Sequence, residues 1–220
     1  MDDDTIPTKT ALEELVIGIN NIKETNIGFV SSKVVGINNE EMNIPNVSKR
    51  LDKNEYPIWM KYLNKSIIEV ESATFVSTLI NIEAIKKVGL PWKEFFIWGD
   101  DIEYTLRISR NFGAGYAVGK SIVVHKRKSA KNLSLIEEDN LNRLNMYKYK
   151  YRNDIIISNN YNSFKVRIKV IINTSLYGIK VLFKSRKHKL KKFNIVFSSM
   201  LVALFDIKIK SSFNKRMSGK

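Results

Sequence analysis

Three groups of side chains in this 220-residue sequence have the types and spacing to act on a charged substrate. Asp2, Asp3 and Asp4 stand directly ahead of a helical pattern. Asp100 and Asp101, with Glu103 two positions on, follow the aromatic run Phe95-Phe96-Ile97-Trp98. His125 ends the apolar run Ile122-Val123-Val124. Hard divalent cations take carboxylate oxygens, and manganese also accepts imidazole. Alternate residues of an extended segment point the same way, so Asp2 and Asp4 would face one ion while Asp3 turns elsewhere. Each group also has a plainer account. Acids at a helix start complement its dipole, Asp100-Asp101 suits an N-cap with a solvated neighbour, a histidine at a strand end is often structural, and Trp98 suits a core. His188, inside Lys187-His188-Lys189, reads as a solvated residue.

The elements that must position these groups alternate along the chain. Residues 5–24 read as a helix, with Thr10 and Glu13 at capping-box spacing and Ala11, Leu12, Leu15, Val16 and Ile19 as its apolar face. Residues 28–36 read as a strand bounded by glycines, 37–66 as a polar excursion with short strands, and 67–80 as strand-like. Asn81 is placed to cap a helix over 82–88, which Gly89 and Pro91 stop. An aromatic strand at 95–98 leads to a helix that Gly113 and Gly115 close. One or two short strands follow over 116–125, then helices over 134–152 and from 164 onward. Such intermixing predicts an α/β layered body.

Composition narrows the class further. The chain is 44% hydrophobic, enough for a real core and too apolar for global disorder. It has no cysteine, which excludes disulfides and thiolate-bound zinc. The start, Met1-Asp2-Asp3-Asp4, lacks the basic-then-apolar pattern of a signal peptide, and the run Ile195 to Phe205 is too short to span a bilayer. The formal charge of +15 is uneven: residues 141–220 hold 19 Lys and Arg against 2 acids, while residues 1–140 are close to neutral. That shift predicts a boundary near residue 140, with a body over 1–140 and a basic, mainly helical extension over 141–220. It also implies an anionic partner for the extension.

The stretch from Phe75 to Arg107 resembles bacterial family 2 glycosyltransferases almost throughout, especially the rhamnosyltransferase- and galactofuranosyltransferase-like subset. The resemblance rests on Gly89-Leu90-Pro91 closing a helix, on Trp98-Gly99-Asp100-Asp101 followed by Glu103-Tyr104, on Gly115-Tyr116, and on Val124-His125-Lys126. Met1 to Pro7 is similar to the subset's form of the Asp-x-Asp motif, and Tyr149 to Asn153 matches a later Tyr-x-x-Arg-Asn. The similarity covers residues 1 to about 155.

It implies a GT-A-like (Rossmann-like) fold, here incomplete, and inverting sugar transfer from a nucleotide-diphosphate donor to a cell-surface glycan or lipid-linked acceptor. By resemblance, Asp2, Asp3 and Asp4 meet the donor; Asp2, Asp4 and His125 hold a divalent metal, Mn or Mg; Asp101, or Asp100 in exchange with it, is the catalytic base that takes the acceptor's proton; and Trp98, Asp100 and Glu103 bind the acceptor. Family members carry nucleotide-binding strands ahead of the Asp-x-Asp motif. Without them the isolated chain is expected to bind donor nucleotide poorly and to expose a sheet edge open to pairing with a second copy. The tail over 155–220 interleaves apolar and basic residues, which fits a segment lying on an anionic membrane at the cytoplasmic face, or equally a solvated basic helix. The competing readings are a metal-dependent nuclease or phosphoryl-transfer protein, a nucleic-acid binder driven by the tail, and an inactive remnant that only binds partners or membrane. No recognisable nucleic-acid-binding motif supports the second of these.

Overall fold

The computed structural model describes residues 1–127 and 134–205. The chain divides into two compact units. One comprises 1–91 and 101–131, and the other comprises 92–100 and 132–220.

The first unit is a seven-stranded mixed sheet with helices on both faces. Its two long strands, β2 (Phe29–Val35) and β7 (Gly115–His125), lie side by side and parallel. Short antiparallel strands flank this pair. β5 (Ile67–Ser72) and β1 (Thr5–Pro7) pair with the two halves of β7. β6 (Thr78–Ile80) and β3 (Glu41–Met42) pair with β2, and β4 (Asn46–Val47) pairs with β5. Among the described residues β2 and β7 are both paired on each side, so the sheet's edges fall on the short strands. What remains at the rim is strands of two or three residues, too short to template another chain.

Side-chain alternation sets the layers. Val30, Tyr116 and Val118 point to one face, where Leu15 and Ile22 of and beside α1 (Ala11–Asn21) cover them. Phe29 and Val70 point to the other, against Ala84 of α2 (Ile82–Val88) and Tyr104 and Ile108 of α3 (Asp100–Asn111). β7 bulges where Ser32 pairs with Val118 but Lys33 pairs with Ile122, so that Gly119, Lys120 and Ser121 loop out of the ladder. The extra residues are anchored by the Ser121 hydroxyl, which donates to the Ala11 carbonyl at 2.7 Å and meets Ser32 Oγ at 2.8 Å.

Several local expectations change. The helix expected over 5–24 begins only at Ala11, because Thr5–Pro7 is drawn into the ladder with β7. Thr10 makes no side-chain cap there. The 67–80 stretch breaks into β5, a 3-10 turn at Phe75–Ser77 and β6. Asn81 does cap α2, its Oδ1 accepting from Glu83 N at 2.9 Å. Gly89 ends that helix at φ +76°, a conformation open to glycine at little cost.

The second unit packs α4 (Leu141–Leu144), α5 (Tyr147–Tyr161), α6 (Phe164–Lys184) and α7 (Lys189–Phe205) with the aromatic segment Trp92–Asp100. α6 and α7 approach closely at Gly178, where a Cβ would come within 2.7 Å of Phe197. The helical reading beyond residue 205 lies outside the described residues. The aromatic segment is not a strand. Phe96 and Trp98 both take φ of 58° and Gly99 takes φ of 100°. Left-handed non-glycine residues cost roughly 1–2 kcal/mol each, and Asn153 offsets this. That side chain is 0% exposed, and its Nδ2 donates to the carbonyls of Phe95 (2.9 Å), Ile97 (3.2 Å) and Trp98 (2.8 Å). Arg152 donates to Asn153 Oδ1 and to the Glu94 carbonyl, so the Tyr-x-x-Arg-Asn motif acts as a clamp on this turn. Asn153→Ala removes the donor shared by three carbonyls of this turn and is expected to destabilise the helical unit by about 2–4 kcal/mol. Thermal melting of the variant measures this; an unchanged melt would contradict the clamp.

Candidate functional site

The register of β1 against β7 builds the site. Thr5 lies opposite His125, and Lys126 N donates to the Asp4 carbonyl at 2.9 Å, which brings the Asp4 side chain beside the histidine. Asp2 arrives by another route than the extended alternation expected from the sequence. Thr5 N donates to the Asp2 carbonyl at 3.3 Å, closing a turn over Asp3 and Asp4. Asp2 N in turn donates to the Val76 carbonyl at 3.3 Å. The turn folds Asp2 back toward Asp4, and ligand atoms of Asp2, Asp4 and His125 lie within 4.8 Å of one another. Asp3 is exposed in the turn and outside this cluster.

His125 is the buried member, 6% exposed, and it is held at both ring nitrogens. Nδ1 lies 3.0 Å from Asn43 Oδ1, and Nε2 lies 3.1 Å from Asp4 Oδ1. The 3.1 Å between Nε2 and Asp4 Oδ1 suits a hydrogen bond, and equally suits two ligands of one cation. Two ligands about 2.1 Å from one octahedral ion sit roughly 3 Å apart when adjacent, which matches the observed separation. Asp2 adds a second carboxylate that a simple imidazolium–carboxylate pair does not need. Two carboxylates and an imidazole with its far nitrogen anchored form a group that could hold a divalent metal ion.

Asn43 is the site residue that sequence reasoning missed. It lies in the polar excursion at φ 47°, a conformation asparagine tolerates better than most residues. Nothing in its local sequence marks it. Asn43→Ala is expected to weaken Mn binding about 10–100-fold, as read by a Mn titration. Unaltered affinity would show that Asn43 does not orient the ring.

Asp100 and Asp101 open α3, both half-buried. Asp101 Oδ1 accepts from Ile102 N at 2.7 Å, a local bond that fixes the carboxylate at the helix start. Asp100 groups with the second unit and Asp101 with the first. Trp98, expected to border an acceptor sugar, packs edge-on against Tyr147 within the helical unit, with ring centroids 4.9 Å apart.

Glu103, expected to hold an acceptor hydroxyl, is instead 1% exposed and bound by Arg107, with Nε on Oε1 and Nη2 on Oε2, both at 3.1 Å. The reason is helical period: Glu103 shares the inward face of α3 with Tyr104, Arg107 and Ile108, all buried. Arg107 also donates to the Val88 and Leu90 carbonyls, and the Tyr104 hydroxyl donates to the Gly89 carbonyl at 2.8 Å. Burial pushes the Tyr104 phenol above its ordinary value. The Arg107 charge opposes this and Glu103 adds to it, so the hydroxyl stays protonated as a donor. The Gly-Leu-Pro turn is thus bound to α3 by two side chains, Tyr104 and Arg107, and Glu103 holds Arg107 in place.

No protein-family model matches the sequence, and no curated protein matches it.

Proposed function

We propose that this chain carries the metal and acceptor side of a glycosyltransferase of GT-A-like fold. The enzyme transfers a sugar with inversion from a nucleotide-diphosphate donor to a cell-surface glycan or lipid-linked acceptor at the cytoplasmic face of the membrane. The observation that carries this reading is the convergence of Asp2 and Asp4 on a histidine whose other nitrogen is anchored by Asn43. The long motif match from Phe75 to Arg107 supports it, and favours sugar transfer over nuclease chemistry.

Asp2, Asp4 and His125 would hold the divalent ion, which when bound offsets negative charge growing on the departing diphosphate. Asp3, exposed in the same turn, is the residue of the three acids left to meet the donor from outside the cluster. Asp101 takes the proton of the acceptor hydroxyl as that oxygen bonds to the anomeric carbon and the bond from that carbon to the diphosphate oxygen breaks. Its anchorage at the start of α3 holds the carboxylate in place for this.

The test is sugar transfer from a panel of labelled nucleotide sugars to lipid extracts, with Mn present or chelated. Metal-dependent transfer is expected, and Asp101→Asn should reduce it about 10²–10⁴-fold. Transfer that is indifferent to both metal and Asp101 would overturn the mechanism. The absence of turnover for every donor would favour the inactive-remnant reading.

A further inference from the structure

α6 presents two unlike faces. Gly178 and Val181 are buried against α7, where they meet Phe197 and Val196. Away from that contact, Phe164, Ile168, Ile172, Leu176, Ile179 and Phe183 are each exposed, by 40% to 77%. Their spacing of four or three residues places all six within an arc of roughly 120° along one side of the helix. Lys165 falls inside that arc, Lys169 and Lys180 lie beside one edge of it and Lys184 lies farther round on the same side, all of them exposed. Among the described residues these four lysines have no carboxylate partner, and the sequence holds no acid from Ile155 to Phe205. Six large apolar side chains in one exposed row are not needed to fold α6, which packs by its other side.

We infer that this face of α6 docks in the plane of an anionic phospholipid bilayer. The apolar row enters the acyl boundary, and the lysines meet the headgroup phosphates. Charge complementarity selects this occupant. A second copy of the same face would set lysines against lysines. A bilayer carries the opposite charge over an area large enough for the whole helix. No helix of the described residues is long and apolar enough to cross a membrane, so the contact is interfacial. The inference stands apart from the metal site, since it needs neither cation nor sugar donor.

The experiment is co-sedimentation of the whole chain with vesicles of phosphatidylcholine alone and of phosphatidylcholine mixed with phosphatidylglycerol. Partition onto the anionic vesicles should be at least about tenfold stronger and should weaken as salt is raised. An Ile172→Asp, Leu176→Asp double variant should lose at least about tenfold in partition. A Lys165→Gln, Lys169→Gln double variant should lose about tenfold on anionic vesicles only. All four positions are exposed, so the circular-dichroism melt should match the parent chain and separate docking from folding. Equal or negligible binding to both vesicle types would overturn the inference. So would undiminished binding by the variants, or a light-scattering dimer that Leu176→Asp dissociates.

Discussion

Glu103→Ala is expected to destabilise the first unit by about 3–5 kcal/mol. The side chain is 1% exposed, and both of its oxygens are bound by a guanidinium that is buried with it. Alanine removes the counter-charge and leaves Arg107 in a low-dielectric setting without its bidentate carboxylate. Arg107 itself binds the Val88 and Leu90 carbonyls, so displacing it loosens the turn around Gly89 that ends α2. Glu103→Gln should cost less, since it keeps the shape and part of the hydrogen bonding. Urea unfolding followed by a probe in the first unit reads the effect. A loss below about 1 kcal/mol, accompanied by lost activity, would return Glu103 to a substrate-binding role.

The second large effect concerns the metal. Asp4→Asn and His125→Ala are each expected to weaken Mn binding by about 100-fold or more. Each removes a ligand from a set of three, and loss of His125 also leaves Asn43 without its partner. Thermal melting with and without Mn offers an independent reading. An ion that binds only the folded chain stabilises it by RT ln(1 + c/Kd) at free ion concentration c, so the melting temperature keeps rising with ion concentration above Kd. The parent chain should therefore shift upward with Mn and the two variants should not. Equal shifts in all three would place the ion elsewhere.

How much of this was legible in the sequence depends on the range of the interaction concerned. The cap at Asn81 and the stop at Gly89 are local features, and both form as their residue types dictate. The alternation of strands and helices likewise gives the α/β class. The identities of Asp2, Asp4 and His125 are visible in the chain, but their convergence depends on the register of β1 with β7 and on a turn that folds Asp2 back. The register joins residues more than a hundred positions apart and the turn is tied to Val76 of a distant segment, so no local pattern encodes the convergence. Asn43 left no mark at all, because its role depends on meeting a histidine 82 positions away.

Glu103, given an acceptor role by the resemblance, has a structural partner that was legible locally. Its spacing of four from Arg107, beside buried Tyr104 and Ile108, is the period of an inward helical face. The run of acids at 100–103 drew attention to charge instead. In the aromatic segment, apolar content suggested a strand, yet what fixes the backbone is a distant asparagine that takes three of its carbonyls. Composition placed one boundary near residue 140. It carries no trace of the membership of Trp92–Asp100 in the second unit, because that segment's partners lie on α5.

The measurement that bears most directly on the account is pulsed electron paramagnetic resonance of Mn added in equal amount to the whole chain. A single bound ion showing coupling to an imidazole nitrogen, absent in His125→Ala, is the predicted result. An ion that stays free, or one coupled only to oxygen ligands, would show that the proposed centre does not exist.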